Sequence, residues 1–182
     1  MNIRFSDKKE NKMEQTKTIV VTVENQPGVL ARIAGLFSGR AFNIDSLAVG
    51  ETEDPTTSRM TIVARGDELV LEQIVKQLNK LVDVIKVVDM AGERCLEREL
   101  VLIRVNVDGK SKEELMNIVN IFRAKVLDVS NETFIVELSG TDEKISGFVE
   151  MMKSFGIKEM SRTGTIAMTR AKKIKTNSGK EQ

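Results

Sequence analysis

The sequence predicts an α+β fold built from two tandem copies of one βαββαβ plan. Three observations carry this prediction. Four segments place apolar residues at i, i+3, i+4 and i+7, the spacing of an amphipathic helix. Between them run short alternating stretches rich in Val, Ile and Thr, the pattern of half-buried strands. The order strand, helix, strand, strand, helix, strand then occurs twice along the chain.

Taken in order, residues 1–17 are polar, charged and aperiodic and read as a flexible segment. The first unit, 18–92, opens with a strand over Thr18–Glu24. A helix over Gly28–Gly39 follows, with Leu30, Ile33, Ala34 and Phe37 as its apolar stripe. Strands over Ile44–Thr52 and Ser58–Arg65 flank the breaker Asp54-Pro55-Thr56. Asp67 and Glu68 begin a second helix, to Lys80, whose stripe is Leu71, Ile74, Val75 and Leu78; acids suit that end of a helix dipole. A strand over Val82–Asp89 closes the unit. The second unit, 96–169, repeats the plan after a connector that holds Cys95. Its strands are Glu99–Val107, Val126–Val129, Thr133–Leu138 and Ile157–Met168. Its helices are Ser111–Arg123, with Leu115, Ile118, Val119 and Phe122 inward, and Thr141–Ser154, with Ile145, Phe148, Val149 and Met152 inward. Ser111 and Glu114 have the spacing of a capping box, and Asn131-Glu132 reads as a tight hairpin turn. The Lys-rich end, 170–182, reads as a solvated tail. Each unit thus lays two helices on one face of a four-stranded, largely antiparallel sheet, the ferredoxin-like arrangement. The other face is left to water, a partner or the companion unit, and a dimer is expected.

Composition narrows the function. A net charge of +1 gives no global field for nucleic acid or anionic membrane. The chain has no histidine, which excludes a serine triad, a Cys/His pair, a His-ligated zinc site and a histidine general base within it. One cysteine permits no intrachain disulfide and fits a reducing compartment. No apolar run approaches the length of a membrane span, so a cytoplasmic protein is expected. The acids Asp45, Glu51, Glu53 and Asp54 read as solvated rather than as a metal site. No catalytic residue and no metal ligand set is assigned.

One motif carries chemistry. Asn25-Gln26-Pro27-Gly28-Val29-Leu30 joins the first strand to the first helix, with Pro27 expected at the first helical position. The amides of Gly28, Val29 and Leu30 then lack intrahelical partners and point out at the positive end of the dipole. Gly28 lets a carboxylate approach the backbone, and Asn25 both donates and accepts. A free amino acid suits such a place; the plain alternative is that Pro-Gly merely punctuates a turn.

On these residues the first half resembles an ACT domain, an amino-acid-sensing βαββαβ module. Matching stretches in both halves, Asn25–Glu68, Glu72–Asp89, Glu97–Val105, Ile121–Ser130 and Ser161–Met168, make the whole chain resemble the small regulatory subunits of acetolactate (acetohydroxyacid) synthase. Ser161 stands where that family more often has alanine. The resemblance implies a non-catalytic partner of a catalytic large subunit in branched-chain amino acid (valine, leucine, isoleucine) biosynthesis. Thiamine diphosphate, magnesium and FAD would reside on the large subunit and no cofactor on this chain. It further implies homodimers through the ACT domains and feedback inhibition by valine. Asn25, Gly28, Val29 and Leu30 of one chain would hold the effector's charged groups, and Asn43 and Ile44 of the other would close the pocket. Val29 and Ile44 suit an apolar slot, one that discriminates weakly between branched side chains.

Two further readings stand beside this one. A free-standing ACT sensor acting on another enzyme or on transcription shares the ligand chemistry, but no helix-turn-helix or basic surface is evident. An RNA-binding module shares the βαββαβ plan but needs stacking aromatics, and the chain has no Tyr or Trp and only Phe134 on a predicted strand.

Overall fold

The computed structural model describes residues 15–40, 42–109 and 111–171. The chain divides into two compact units between Asp89 and Met90. The segments read as a flexible start and a basic tail fall mostly on 1–14 and 172–182, outside the described residues.

The first unit contains β1 (Gln15–Glu24), α1 (Val29–Ser38), β2 (Asn43–Glu51), β3 (Thr57–Gly66), α2 (Glu68–Leu78) and β4 (Val84–Asp89). Its antiparallel sheet has the order β2-β3-β1-β4, so β2 and β4 are edges. Ile19, Val21 and Val23 alternate onto the face where Met60 and Ile62 of β3 also point. Both helices lie on that face and close a core with Ile33, Phe37, Leu71, Ile74 and Leu78. Each such side chain contributes roughly 1.5–3 kcal/mol of burial.

The stripe of α1 differs from expectation. Its buried residues are Val29, Ile33, Leu36 and Phe37, whereas Leu30 is 43% exposed and Ala34 is exposed. The segment Val29–Phe37 has more apolar residues than one face can hold, so periodicity alone does not fix its phase; the turn preceding the helix does. Asp67 is the N-cap of α2, its side chain accepting from the Val70 amide at 2.9 Å.

The second unit contains β5 (Cys95–Asn106), α3 (Ser111–Phe122), β6 (Lys125–Val129), β7 (Thr133–Gly140), α4 (Asp142–Lys153), β8 (Ile157–Arg162) and β9 (Ile166–Thr169). The sheet order is β6-β7-β5-β8, with β9 also on β5. Here the sequence reading needs three corrections. The expected last strand is two strands, because the register against β5 slips by one residue between Val101↔Arg162 and Arg98↔Ile166. Gly164, at φ 79°, takes up the slip, and Thr163 closes it by donating its amide to the Leu100 carbonyl at 3.1 Å. Cys95 is not in a connector; it begins β5 and pairs with Thr169. The cap of α3 lies three residues upstream of the expected one: the Ser111 amide donates to Asp108 Oδ1 at 2.8 Å, and the Asp108 amide to Ser111 Oγ at 2.9 Å. The hairpin turn stands as read, with Ser130 and Thr133 bonded across Asn131-Glu132. Phe134 is buried in this unit's core and offers no ring to a base. Among the described residues no helix is long and apolar enough to cross a membrane.

Candidate functional site

The chain leaves β1 at Glu24, and the Asn25 amide donates to the Thr56 carbonyl at 2.7 Å, which fixes the start of the junction. Gln26 to Val29 then form a type II turn. Pro27 supplies the first central residue, Gly28 the second at φ 87°, ψ −11°, and the Val29 amide donates back to the Gln26 carbonyl at 3.4 Å. Gly28 is therefore the N-cap of α1 and Pro27 lies outside the helix, not at its first position. The reason is local: a left-handed residue must reverse the chain before α1 can begin, and glycine takes that conformation at little cost.

The turn occupies the Val29 amide, but those of Gly28, Leu30 and Ala31 take no partner among the described residues. No side chain caps α1 and its first turn has no acid, so the positive end of the helix is uncompensated. Arg32, one turn on, adds to this charge. Its Nε and Nη2 donate to Asp83 Oδ2 and Oδ1 at 2.7 and 2.8 Å, a bidentate pair. A β-carbon placed on Gly28 would lie 3.1 Å from Nη1, so the third guanidinium nitrogen sits over the turn. The hydrogen bonds to Asp83 hold Arg32 above its ordinary range, and those to Arg32 hold Asp83 below the usual carboxylate range.

Acceptors come from the end of β1 and from β2. Asn25 Nδ2 donates to Glu51 Oε1 at 3.0 Å and to the Pro55 carbonyl at 2.9 Å. Both amide protons are thereby spent, and Asn25 Oδ1 is left as an acceptor close to the Glu51 carboxylate. The turn that carries Pro55 is held by Asp54, whose Oδ1 accepts from the Thr56 hydroxyl and amide at 2.7 and 2.9 Å; those bonds depress the Asp54 pKa. The junction thus offers donors and positive charge from the start of α1 and Arg32, and acceptors with a carboxylate from Asn25 and Glu51. That is the complement of a small zwitterion.

The other expected residues lie elsewhere in the chain. Asn43 donates from Nδ2 to Asp45 Oδ1 at 2.6 Å, and Asp45 in turn accepts from Arg65 Nε at 3.0 Å. Ile44 is half-buried against the helix-side core, and the Val29 side chain lies inside that core. In the register, Glu51 faces Ser58 and Asn43 faces Arg65. Seven residues along a strand are roughly 23 Å. Asn25, Gly28 and Leu30 are therefore grouped, while Asn43 and Ile44 stand at the opposite end of the same sheet. Arg32 and Asp83 escape the sequence reading, which takes Glu51 only as a solvated acid. Arg32 falls four residues after Gly28, where a helical side chain leans back over the preceding turn, and that spacing is a usable signal. Asp83 is 51 residues from Arg32, and no local pattern marks the pair.

The second unit treats its corresponding junction differently. A cavity of about 430 Å³ beside the start of α3 is lined by Asn106, Asp108, Ser111, Glu114, Glu132 and Lys158 among others. There the Asp108 carboxylate already takes the Ser111 amide, and Glu113 and Glu114 add negative charge in the first turn.

Comparison with known proteins agrees in both units. Residues 19–86 match the family model described as the AHAS small subunit-like ACT domain, and residues 98–171 match that of the small subunit of acetolactate synthase. The chain is 53% identical over 156 residues to the probable acetolactate synthase small subunit of Archaeoglobus fulgidus, spanning 86% of this chain and 98% of that protein. It is 51% identical to the corresponding protein of Methanothermobacter thermautotrophicus, spanning 85% and 93%. Among solved structures, the acetolactate synthase small subunit of Thermotoga maritima superimposes with a TM-score of 0.80 at 41% identity, covering 87% of this chain and 99% of that one.

Proposed function

Since the chain belongs to the family of acetolactate synthase small subunits, we propose that it is the regulatory partner of a catalytic large subunit, raising its activity and transmitting inhibition by valine. The observation that carries this reading is the junction before α1. Uncommitted amides of Gly28 and Leu30 beside Arg32 suit a carboxylate, and Asn25 Oδ1 beside Glu51 suits an ammonium. The effector site, in this reading, is completed by a second copy of the chain. Asn43 and Ile44, at the far end of their own sheet, reach the junction of a two-fold-related copy through the β2 edge, where an isologous contact brings opposite ends together. The chemistry of acetolactate formation, with thiamine diphosphate, magnesium and FAD, belongs to the large subunit.

Inhibition of this kind needs two arrangements of the dimer that bind valine unequally; the coupling in such systems is typically about 1–3 kcal/mol, or 5- to 150-fold. The test is the rate of acetolactate formation by the cognate large subunit alone, with this protein, and with this protein plus millimolar valine. Stimulation that valine reverses is expected. Unchanged rates in all three mixtures would overturn the reading in favour of a sensor that serves another target. Gly28→Asp separates the two activities: it sets a carboxylate where the effector's must sit, so stimulation persists while valine inhibition is lost.

A further inference from the structure

We infer that Arg32, held by Asp83, is the specificity-determining cation of the effector site, the group through which the site requires a carboxylate rather than an uncharged amide or alcohol. The inference deepens the proposed function and rests on it. Three features of the geometry support it. Arg32 spends two of its three guanidinium nitrogens on Asp83, at 2.7 and 2.8 Å, which fixes the plane of the guanidinium. The remaining nitrogen, Nη1, is the one nearest Gly28, 3.1 Å from where a β-carbon would stand. The amides of Gly28 and Leu30, at the same junction, take no partner among the described residues. Backbone amides at a helix start favour a carboxylate by their dipole alone; a fixed guanidinium adds a full positive charge and a directed donor, which widens the gap to a neutral carbonyl.

Asp83 acts as a positioning residue. Its side chain is 14% exposed against 48% for Arg32, so the carboxylate is the anchored member of the pair and the guanidinium the member that reaches out. Asp83 also lies just before β4, in the link from α2, and the Glu24 amide donates to its carbonyl at 3.0 Å. The effector carboxylate and Asp83 therefore share one cation, and occupancy at α1 is felt where β1 meets the start of β4.

The test is calorimetric titration of the full chain with valine and with valinamide, which keeps the ammonium and the side chain but has no carboxylate. Wild type should bind valine well and valinamide at least about tenfold more weakly. Arg32→Gln should weaken valine at least about tenfold, the loss of a charge-assisted hydrogen bond, while valinamide changes less than threefold, so the discrimination collapses. Asp83→Asn should reduce the discrimination while Arg32 is still present. Circular dichroism confirms that each variant is folded, and Arg32→Lys keeps the charge should the glutamine variant fail to fold; it should retain part of the discrimination. If Gly28→Asp abolishes valine binding but Arg32→Gln leaves the valine-to-valinamide ratio unchanged, the effector site stands and the assignment of Arg32 is overturned. If wild type itself gives no valine binding, both fall.

Discussion

Replacing Gly28 with alanine tests the local geometry without introducing charge. At φ 87° a residue with a β-carbon stands in the left-handed region, which costs about 1–2 kcal/mol. Alanine also restricts the unfolded chain, which returns about 0.4–1 kcal/mol. The new methyl meets Arg32 Nη1 at 3.1 Å, a close contact, and the guanidinium cannot simply swing away because Asp83 holds it twice. The expected net loss is about 1 kcal/mol, which for a domain of 60–100 residues lowers the melting temperature by roughly 4–8 °C. The matched control is Gly50→Ala in β2, where φ is not in the left-handed region and nothing lies within 4 Å of the added carbon; it should be neutral or slightly stabilising. Because the chain has no Trp or Tyr, unfolding is followed by far-ultraviolet circular dichroism. Introducing Arg32→Gln into the Gly28→Ala background should recover the steric part and leave the backbone part. Equal stability of Gly28→Ala and Gly50→Ala would refute both the left-handed turn and the contact.

Three other perturbations follow from the same kind of reading. Glu99 is 5% exposed and accepts from Arg162 Nε and Nη2 at 2.6 and 2.8 Å, so Glu99→Ala should destabilise the second unit by about 1–3 kcal/mol in chemical denaturation; Arg162 is about a third exposed, which places the cost below that of a fully buried pair. Arg123 ends α3 at φ 54°, so Arg123→Gly should stabilise by about 0.5–1 kcal/mol, relief of the left-handed cost less the extra freedom of the unfolded chain. Asp83 is held below its ordinary pKa by Arg32, so its contribution to stability is complete above pH about 4 and is lost as pH falls through the lower folded-state value; Asp83→Asn should flatten the acid limb of the stability curve by lowering stability at neutral pH, with little change at acid pH.

Much of the fold was legible because its signals are local. Helix stripes such as Leu115, Ile118, Val119 and Ile145, Phe148, Met152 have the period and also the burial expected of them. The strand order within each unit follows from alternation and from two breakers, Asp54-Pro55 and Asn131-Glu132. What the sequence hid is non-local or one residue in size. The slip at Thr163–Thr165 interrupts a run that alternates well enough to read as one strand, because a bulge is a fact about two strands in register. Cys95 to Arg98 pairs with β9 and looks like a connector without it. At the site, the Pro27-Gly28 turn could be read because turn chemistry resides in two adjacent residues. The Arg32–Asp83 pair could not, since the fold alone brings those side chains together. Asn43 and Ile44 entered through family resemblance, and no spacing within one chain joins them to the junction.

The two units share a plan and differ where the first helix begins, and under the proposed function that difference sets how many effectors a chain should bind. At α3 the Asp108 carboxylate already accepts from the Ser111 amide at 2.8 Å, and Glu113 and Glu114 follow in the first turn. An incoming carboxylate there would meet like charges at a helix end whose own anion is in place. At α1 the cap is Gly28, no acid lies in the first turn, and Arg32 stands over the turn. Duplication of the fold therefore does not duplicate the ligand chemistry. Valine titrated into the full chain should saturate at one molecule per chain, and Asp108→Ala should leave both the stoichiometry and the affinity unchanged while lowering the stability of the second unit by about 1 kcal/mol through loss of the cap. Saturation at two molecules per chain, with one of them lost in Asp108→Ala, would show that the second junction binds amino acids as well and that its carboxylate serves the ligand rather than the helix.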